Sequence, residues 1–161
     1  MTAVRDAIDS ARVALTAAGV DTPRLDAELL LAEALGVDRT RLYLDRDLAV
    51  RGPAVRRFQE LVRRRAVERE PVAYLLGRKG FRRLELAVDR RVLVPRPETE
   101  LLVELAVAEL PRGARVVDVG TGSGAVALAL ADERPDLEVA GSDVSADALE
   151  VARANGERLG A

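Results

Sequence analysis

The chain has 161 residues, 48% of them hydrophobic and 32% charged, and a net charge of −2. That suits one domain or two small ones and gives no reason to expect direct nucleic-acid binding. It has neither cysteine nor histidine, which excludes disulfides, cysteine nucleophiles, histidine triads and the usual zinc sites; no metal is expected. No apolar run approaches a membrane span and the N-terminus lacks a signal-peptide core, so a cytoplasmic chain without a membrane partner is expected.

Residues 1–77 read as a helical bundle. Thr2 is placed to cap a first helix with Val4, Ala7, Ile8, Ala11 and Leu15 on one stripe, ended by Gly19. Asp21 and Thr22 before Pro23 start a second helix, which carries Leu25, Leu29, Leu30, Ala32 and Leu35 and stops at Gly36. A short helix follows around Asp38 to Leu44. Gly52 and Pro53 open a longer one through Val55, Phe58, Leu61, Val62 and Ala66. Arg56, Arg57, Arg63, Arg64 and Arg65 form its other face, read as a solvated charged surface before a docking surface for a charged partner. One more helical turn runs from Pro71 to Leu76 and closes at Gly77.

From Lys79 the period changes. Phe81, Leu84, Leu86 and Val88, then Val92 to Val94, predict two short strands joined near Asp89 and Arg90, a hairpin linker over residues 78–97. The prolines of Val94-Pro95-Arg96-Pro97-Glu98-Thr99-Glu100 force an extended entry into a helix running to Leu110. Residues 98–161 then read as the beginning of an α/β domain.

Its centre is Arg115-Val116-Val117-Asp118-Val119-Gly120-Thr121-Gly122-Ser123-Gly124, a strand entering a glycine-rich turn, followed by an apolar helix from Ala125. The valines suit a parallel strand covered on both faces. The glycines let a ligand approach the backbone. Gly120, Gly122 and Ala125 satisfy the dinucleotide fingerprint, and the same segment satisfies the Asp-x-Gly-x-Gly-x-Gly pattern of S-adenosylmethionine (SAM) sites. The glycines do not choose between them; Asp118 favours SAM. A carboxylate repels pyrophosphate at a helix N-terminus but suits an ammonium and a sulfonium. Its plainer role is to cap the turn.

Leu137 to Ser142 reads as the next strand, with Asp143 at its end, 23 residues after Gly120. That is near the spacing of an acid that accepts from ribose hydroxyls; the alternative is that Ser142, Asp143 or Ser145 caps the helix beginning near Ala146. After residue 114 there is room for only two βα units of roughly 30 residues each, where a doubly wound sheet needs several. A truncated sequence is expected, ahead of a partner chain that supplies the rest.

These residues carry a resemblance. The helical N-terminal segment, Glu70-Pro71-Val72-Ala73-Tyr74-Leu75-Leu76-Gly77, Gly80-Phe81, the Pro95 to Glu100 segment and Asp118 to Gly124 together resemble the PrmC/HemK group of release-factor glutamine methyltransferases over the whole chain. The glycine motif alone indicates only a class I methyltransferase; Pro-Arg-Pro-Glu-Thr-Glu shortly before it is far more specific.

The resemblance implies a helical substrate-recognition domain, then the first part of a Rossmann-like SAM-methyltransferase sheet. It implies that Asp118, Val119, Gly120, Thr121 and Gly122 line the methionine and ribose portions of SAM and that Asp143 holds the ribose hydroxyls. The Pro95 to Thr99 loop would lie near the same pocket. The partner implied is a class 1 peptide-chain release factor, whose Gly-Gly-Gln glutamine is methylated at N5.

The family's Asn-Pro-Pro-Tyr motif, which aims the amide nitrogen, is missing: the one asparagine, Asn155, is not followed by proline. No catalytic residue is assigned, and the chain alone is expected to be inactive. Competing readings are a class I methyltransferase fragment acting on nucleic acid or a small molecule, a non-catalytic partner-binding module, and a dinucleotide-binding fragment.

Overall fold

The computed structural model describes residues 2–161. The chain forms two compact units, one ending at Leu76 and the other spanning Gly77–Ala161.

The first unit contains β1 (Thr2–Ala3), α1 (Val4–Ala17), α2 (Pro23–Leu35), α3 (Arg39–Leu44), β2 (Ala49–Val50), α4 (Pro53–Val67) and α5 (Val72–Leu76). It is not wholly helical, because β1 and β2 pair antiparallel. Nor does Thr2 cap α1. The N–H of Val4 donates to the Leu48 carbonyl at 2.9 Å and that of Arg5 to the Arg46 carbonyl at 3.1 Å. The loop before β2 therefore satisfies amides that a hydroxyl cap was expected to satisfy. Val4, Ala7, Ala11 and Leu15 of α1 meet Leu30 and Leu31 of α2, Phe58 and Leu61 of α4 and Leu75 of α5 in the core. Gly36 stops α2 in the left-handed region at φ 64°, and Asp38 caps α3 by accepting from the Thr40 N–H at 2.7 Å.

Two further expectations about this unit differ from the structure. Leu25 is exposed, and α2 instead buries Asp26 and Glu28. The arginines of α4 do not form one solvated face. Arg56, Arg57 and Arg63 are exposed, but Arg65 Nε donates to Asp26 at 2.7 Å and Arg64 Nε to Glu70 at 2.8 Å. Buried carboxylates require such partners, and these two arginines supply them.

The second unit contains β3 (Arg78–Phe81), β4 (Leu84–Ala87), α6 (Thr99–Glu109), β5 (Arg115–Val119), α7 (Ala125–Glu133), β6 (Glu138–Ser142) and α8 (Ala146–Leu159). β3 and β4 form the hairpin, but it turns at Arg82 and Arg83, not near Asp89, and Val92 to Val94 form no strand. Arg82 takes a left-handed φ of 53°. Its N–H donates to Glu100 at 3.1 Å and its guanidinium makes two bonds to Glu133, at 2.8 and 2.7 Å. These contacts fix the reversal there, whereas Asp89 accepts from the Arg91 N–H at 2.9 Å and closes a local turn.

β5 and β6 are parallel, with Asp118 opposite Gly141 and Val119 opposite Ser142. A helical N-terminal region followed by a partial, doubly wound type of sheet is the architecture expected. The strand itself differs from expectation, since β5 is not covered on both faces. Val116 and Asp118 are half-buried, while Val117 is 62% and Val119 82% exposed. Among the described residues no element packs on that second face.

Candidate cofactor site

The ends of β5 and β6 meet at the glycine turn. The N–H groups of Gly120 and Thr121 both donate to the Ser142 carbonyl, at 2.8 and 2.9 Å, and Gly124 N–H donates to the Thr121 carbonyl at 2.8 Å. Gly120, Gly122 and Gly124 have φ of 81°, 55° and 82°, a region that side chains disfavour. A Cβ on Gly120 or Gly122 would meet nothing within 4 Å, so the turn presents bare backbone to open space. Gly124 has a second reason to be glycine, because a Cβ there would lie 2.9 Å from Leu128 Cδ1.

Two carboxylates flank this turn, each held in place. Asp118 Oδ2 accepts from the Thr121 hydroxyl at 2.7 Å. It is thus oriented by a side chain instead of capping a backbone amide. Thr121 is buried and lies over Gly141 of β6, where an added Cβ would stand 2.9 Å from Thr121 Oγ1. Asp143 Oδ2 accepts from the Gly122 N–H at 2.9 Å, and Oδ1 from the Ser145 N–H at 3.0 Å. The Ser145 N–H, then the Gly122 N–H, hold the Asp143 carboxyl below the ordinary aspartate value, so it is ionised at neutral pH. The cap of α8 is Ser145, whose Oγ accepts from the Ala148 N–H at 3.2 Å. The capping role weighed for Asp143 therefore belongs to its neighbour Ser145.

The structure brings Asp118, Gly120, Thr121, Gly122 and Asp143 together at one end of the parallel pair, with Val119 ending β5 as an exposed neighbour. The amides of Gly120, Thr121 and Gly122 are already engaged with Ser142 and Asp143, so they are not offered to a phosphate. With two acids beside the turn, this disfavours a dinucleotide and suits a cationic ligand bearing hydroxyls. Just after the Pro95 to Thr99 loop, Glu100 in the first turn of α6 accepts from the Arg82 N–H of the hairpin at 3.1 Å. Among the described residues there is no group of histidine, cysteine or acidic side chains that could hold a metal ion. No helix among them is long and apolar enough to cross a membrane.

Sequence reasoning missed Gly141 and Asn155. A glycine inside a β strand signals close approach of another group, and at Gly141 that group is Thr121. Asn155 is wholly buried, and its amide bonds to Ala87 and Ser123. It is therefore not an acceptor-aiming asparagine.

Residues 6–77 match the PrmC N-terminal domain and residues 97–161 the methyltransferase small domain. The release factor glutamine methyltransferase of Mycolicibacterium smegmatis is 51% identical over 156 residues, covering 96% of this chain and 54% of that protein. Its counterpart in Xylella fastidiosa strain 9a5c is 47% identical, covering 91% of this chain and 54% of the relative. That of Geobacter sulfurreducens is 41% identical, covering 98% and 55%. The chain spans about half the length of these curated relatives.

Proposed function

The chain belongs to the release factor glutamine methyltransferase family, and on that premise we propose that its protein transfers a methyl group from S-adenosyl-L-methionine to a glutamine side-chain amide. The acceptor in this reading is the Gly-Gly-Gln glutamine of class 1 peptide-chain release factors, methylated at N5 in the cytoplasm. Residues 1–77 recognise the release factor, residues 78–97 link, and residues 98–161 provide part of the cofactor domain.

One observation carries the cofactor reading: two anchored carboxylates, Asp118 and Asp143, flank a glycine turn whose Gly120 and Gly122 face open space. SAM carries an ammonium, a sulfonium and a ribose diol, which are the groups such a pair of acids attracts. When bound, it would supply an electrophilic methyl on its sulfonium sulfur. Asp143 would accept from the ribose hydroxyls with the lone pairs that Gly122 and Ser145 leave free. Asp118, Val119 and the Gly120–Gly122 backbone would line the methionine and ribose portions.

No residue of this chain is assigned to the transfer itself. An amide nitrogen is a weak nucleophile and must be aimed at the methyl. We place the residues that aim it outside these 161, so the chain alone binds cofactor without turning it over.

Calorimetric titration with S-adenosylhomocysteine tests the reading. Saturable one-site binding is expected, weakened on the order of tenfold or more by Asp118→Ala and by Asp143→Ala, the loss expected for a charge-assisted hydrogen bond. A folded chain that shows no binding, or binds equally well after both substitutions, overturns it.

A further inference from the structure

Asn155 lies on α8, is 0% exposed, and bonds to two segments far from it in sequence. Its Oδ1 accepts from the Ala87 N–H at 2.8 Å, while its Nδ2 donates to the Ala87 carbonyl at 2.9 Å. The side-chain amide thus reads the peptide groups of β4 as a neighbouring strand would. The second Nδ2 hydrogen goes to the Ser123 carbonyl at 3.0 Å, inside the glycine turn, and Arg158 donates to Oδ1 at 3.2 Å. Two donated and two accepted bonds use the full capacity of an asparagine amide. Ser123 is itself buried, so water does not readily replace the lost partner.

The hairpin is anchored at its other end too, where Arg82 holds Glu133 in the last turn of α7. The hairpin therefore brackets α7, through Asn155 at the turn that starts it and through Arg82 at its end. Ser123 sits between Gly122, whose N–H holds Asp143, and Gly124, whose left-handed backbone starts α7.

The geometry points to Asn155 as a positioning residue that locks the glycine turn to the β3–β4 hairpin and thereby sets the backbone that orients Asp143. It touches no reacting atom. Its functional consequence rests on the cofactor reading above; the mechanical link to the turn does not.

The test pairs amide hydrogen exchange with calorimetry on the whole chain. In the unmutated chain, the amides of Ala87, Gly122 and Gly124 are expected to open in one cooperative event with a shared denaturant dependence. In Asn155→Ala and Asn155→Asp the turn amides exchange at least about tenfold faster, and S-adenosylhomocysteine binds on the order of tenfold more weakly, at equal distance from each variant's Tm. Val151→Ala removes buried apolar atoms one turn earlier on α8 and is the control: it lowers Tm and leaves both readouts unchanged.

Independent opening of Ala87 and the turn overturns the inference without recourse to any variant. So does an Asn155 variant that behaves like the Val151 control. If the unmutated chain shows coupled opening but binds no S-adenosylhomocysteine, the cofactor reading fails while the mechanical link stands.

Discussion

At the scale of single residues, orientation of the acids costs more sequence than the acids themselves. In the proposed cofactor site Asp118 acts only while its carboxylate is aimed, and the Thr121 hydroxyl holds that carboxylate from a position that exists because Gly141 has no side chain. The strand backbone at Gly141 suits alanine, so Gly141→Ala tests space alone. The new methyl meets the Oγ1, Cβ and Cγ2 of a buried threonine at 2.9 to 3.1 Å, and Thr121 must move. We expect a stability loss of about 1–3 kcal/mol, as for overpacking, and weaker S-adenosylhomocysteine binding. Thr121→Val keeps the shape, removes the hydroxyl, and is expected to cost about 1 kcal/mol of binding. Because both act through the same carboxylate, a double-mutant cycle read by calorimetry should show non-additive binding losses. Additive losses would mean that Thr121 does not transmit the effect of Gly141 to Asp118.

At the scale of elements, α4 shows how the phase of a helix sorts chemically identical neighbours. Arg63 reaches Glu60 and Glu68 in solvent, whereas Arg65, 21% exposed, meets Asp26, whose carboxylate is 5% exposed. Breaking an exposed pair costs less than about 1 kcal/mol, while stranding a buried charge costs about 3–5 kcal/mol. Chemical denaturation should therefore find Arg65→Ala far more damaging than Arg63→Ala, and Asp26→Leu combined with Arg65→Met milder than Arg65→Ala alone. Equal losses in the two single variants would contradict the sorting. The sequence made the helix, its glycine start and the arginine run legible, because these are local properties. It did not reveal which arginines turn inward, because Asp26 lies 39 residues away. The same division holds elsewhere. The left-handed stop at Gly36, the glycine turn, the strand ending at Ser142 and α8 follow from local rules. The β1–β2 ladder, the hairpin reversal at Arg82 and the threonine over Gly141 depend on partners distant in sequence. Asp118 and Asp143 were legible as acids at particular spacings, but the backbone and hydroxyl groups that hold them were not.

At the scale of the whole molecule, the two units differ in where their exposed large apolar residues lie: those of the first are scattered over α1, α2, α3, α4 and the loops, whereas those of the second gather mainly on α6 and β5. The core running from Val4 to Leu75 draws every member from the first unit. The second unit buries Phe81, Leu86, Val103, Ala129 and Leu130, yet leaves Leu101, Leu102 and Leu105 of α6 and Val117 and Val119 of β5 exposed. A domain the size of the first unit buries enough surface to fold alone, though with a small margin. An apolar strand and helix left open favour association. Residues 1–76 produced separately should accordingly be monomeric by sedimentation and melt in one cooperative transition. The full chain should associate as its concentration rises. Val117→Lys, which places a charge on the open face of β5, should suppress that association without shifting the melt of the first unit. An unfolded 1–76 fragment would show that its core is insufficient by itself. Association that persists in Val117→Lys would move its origin away from β5, and association of the 1–76 fragment would place it in the helical unit.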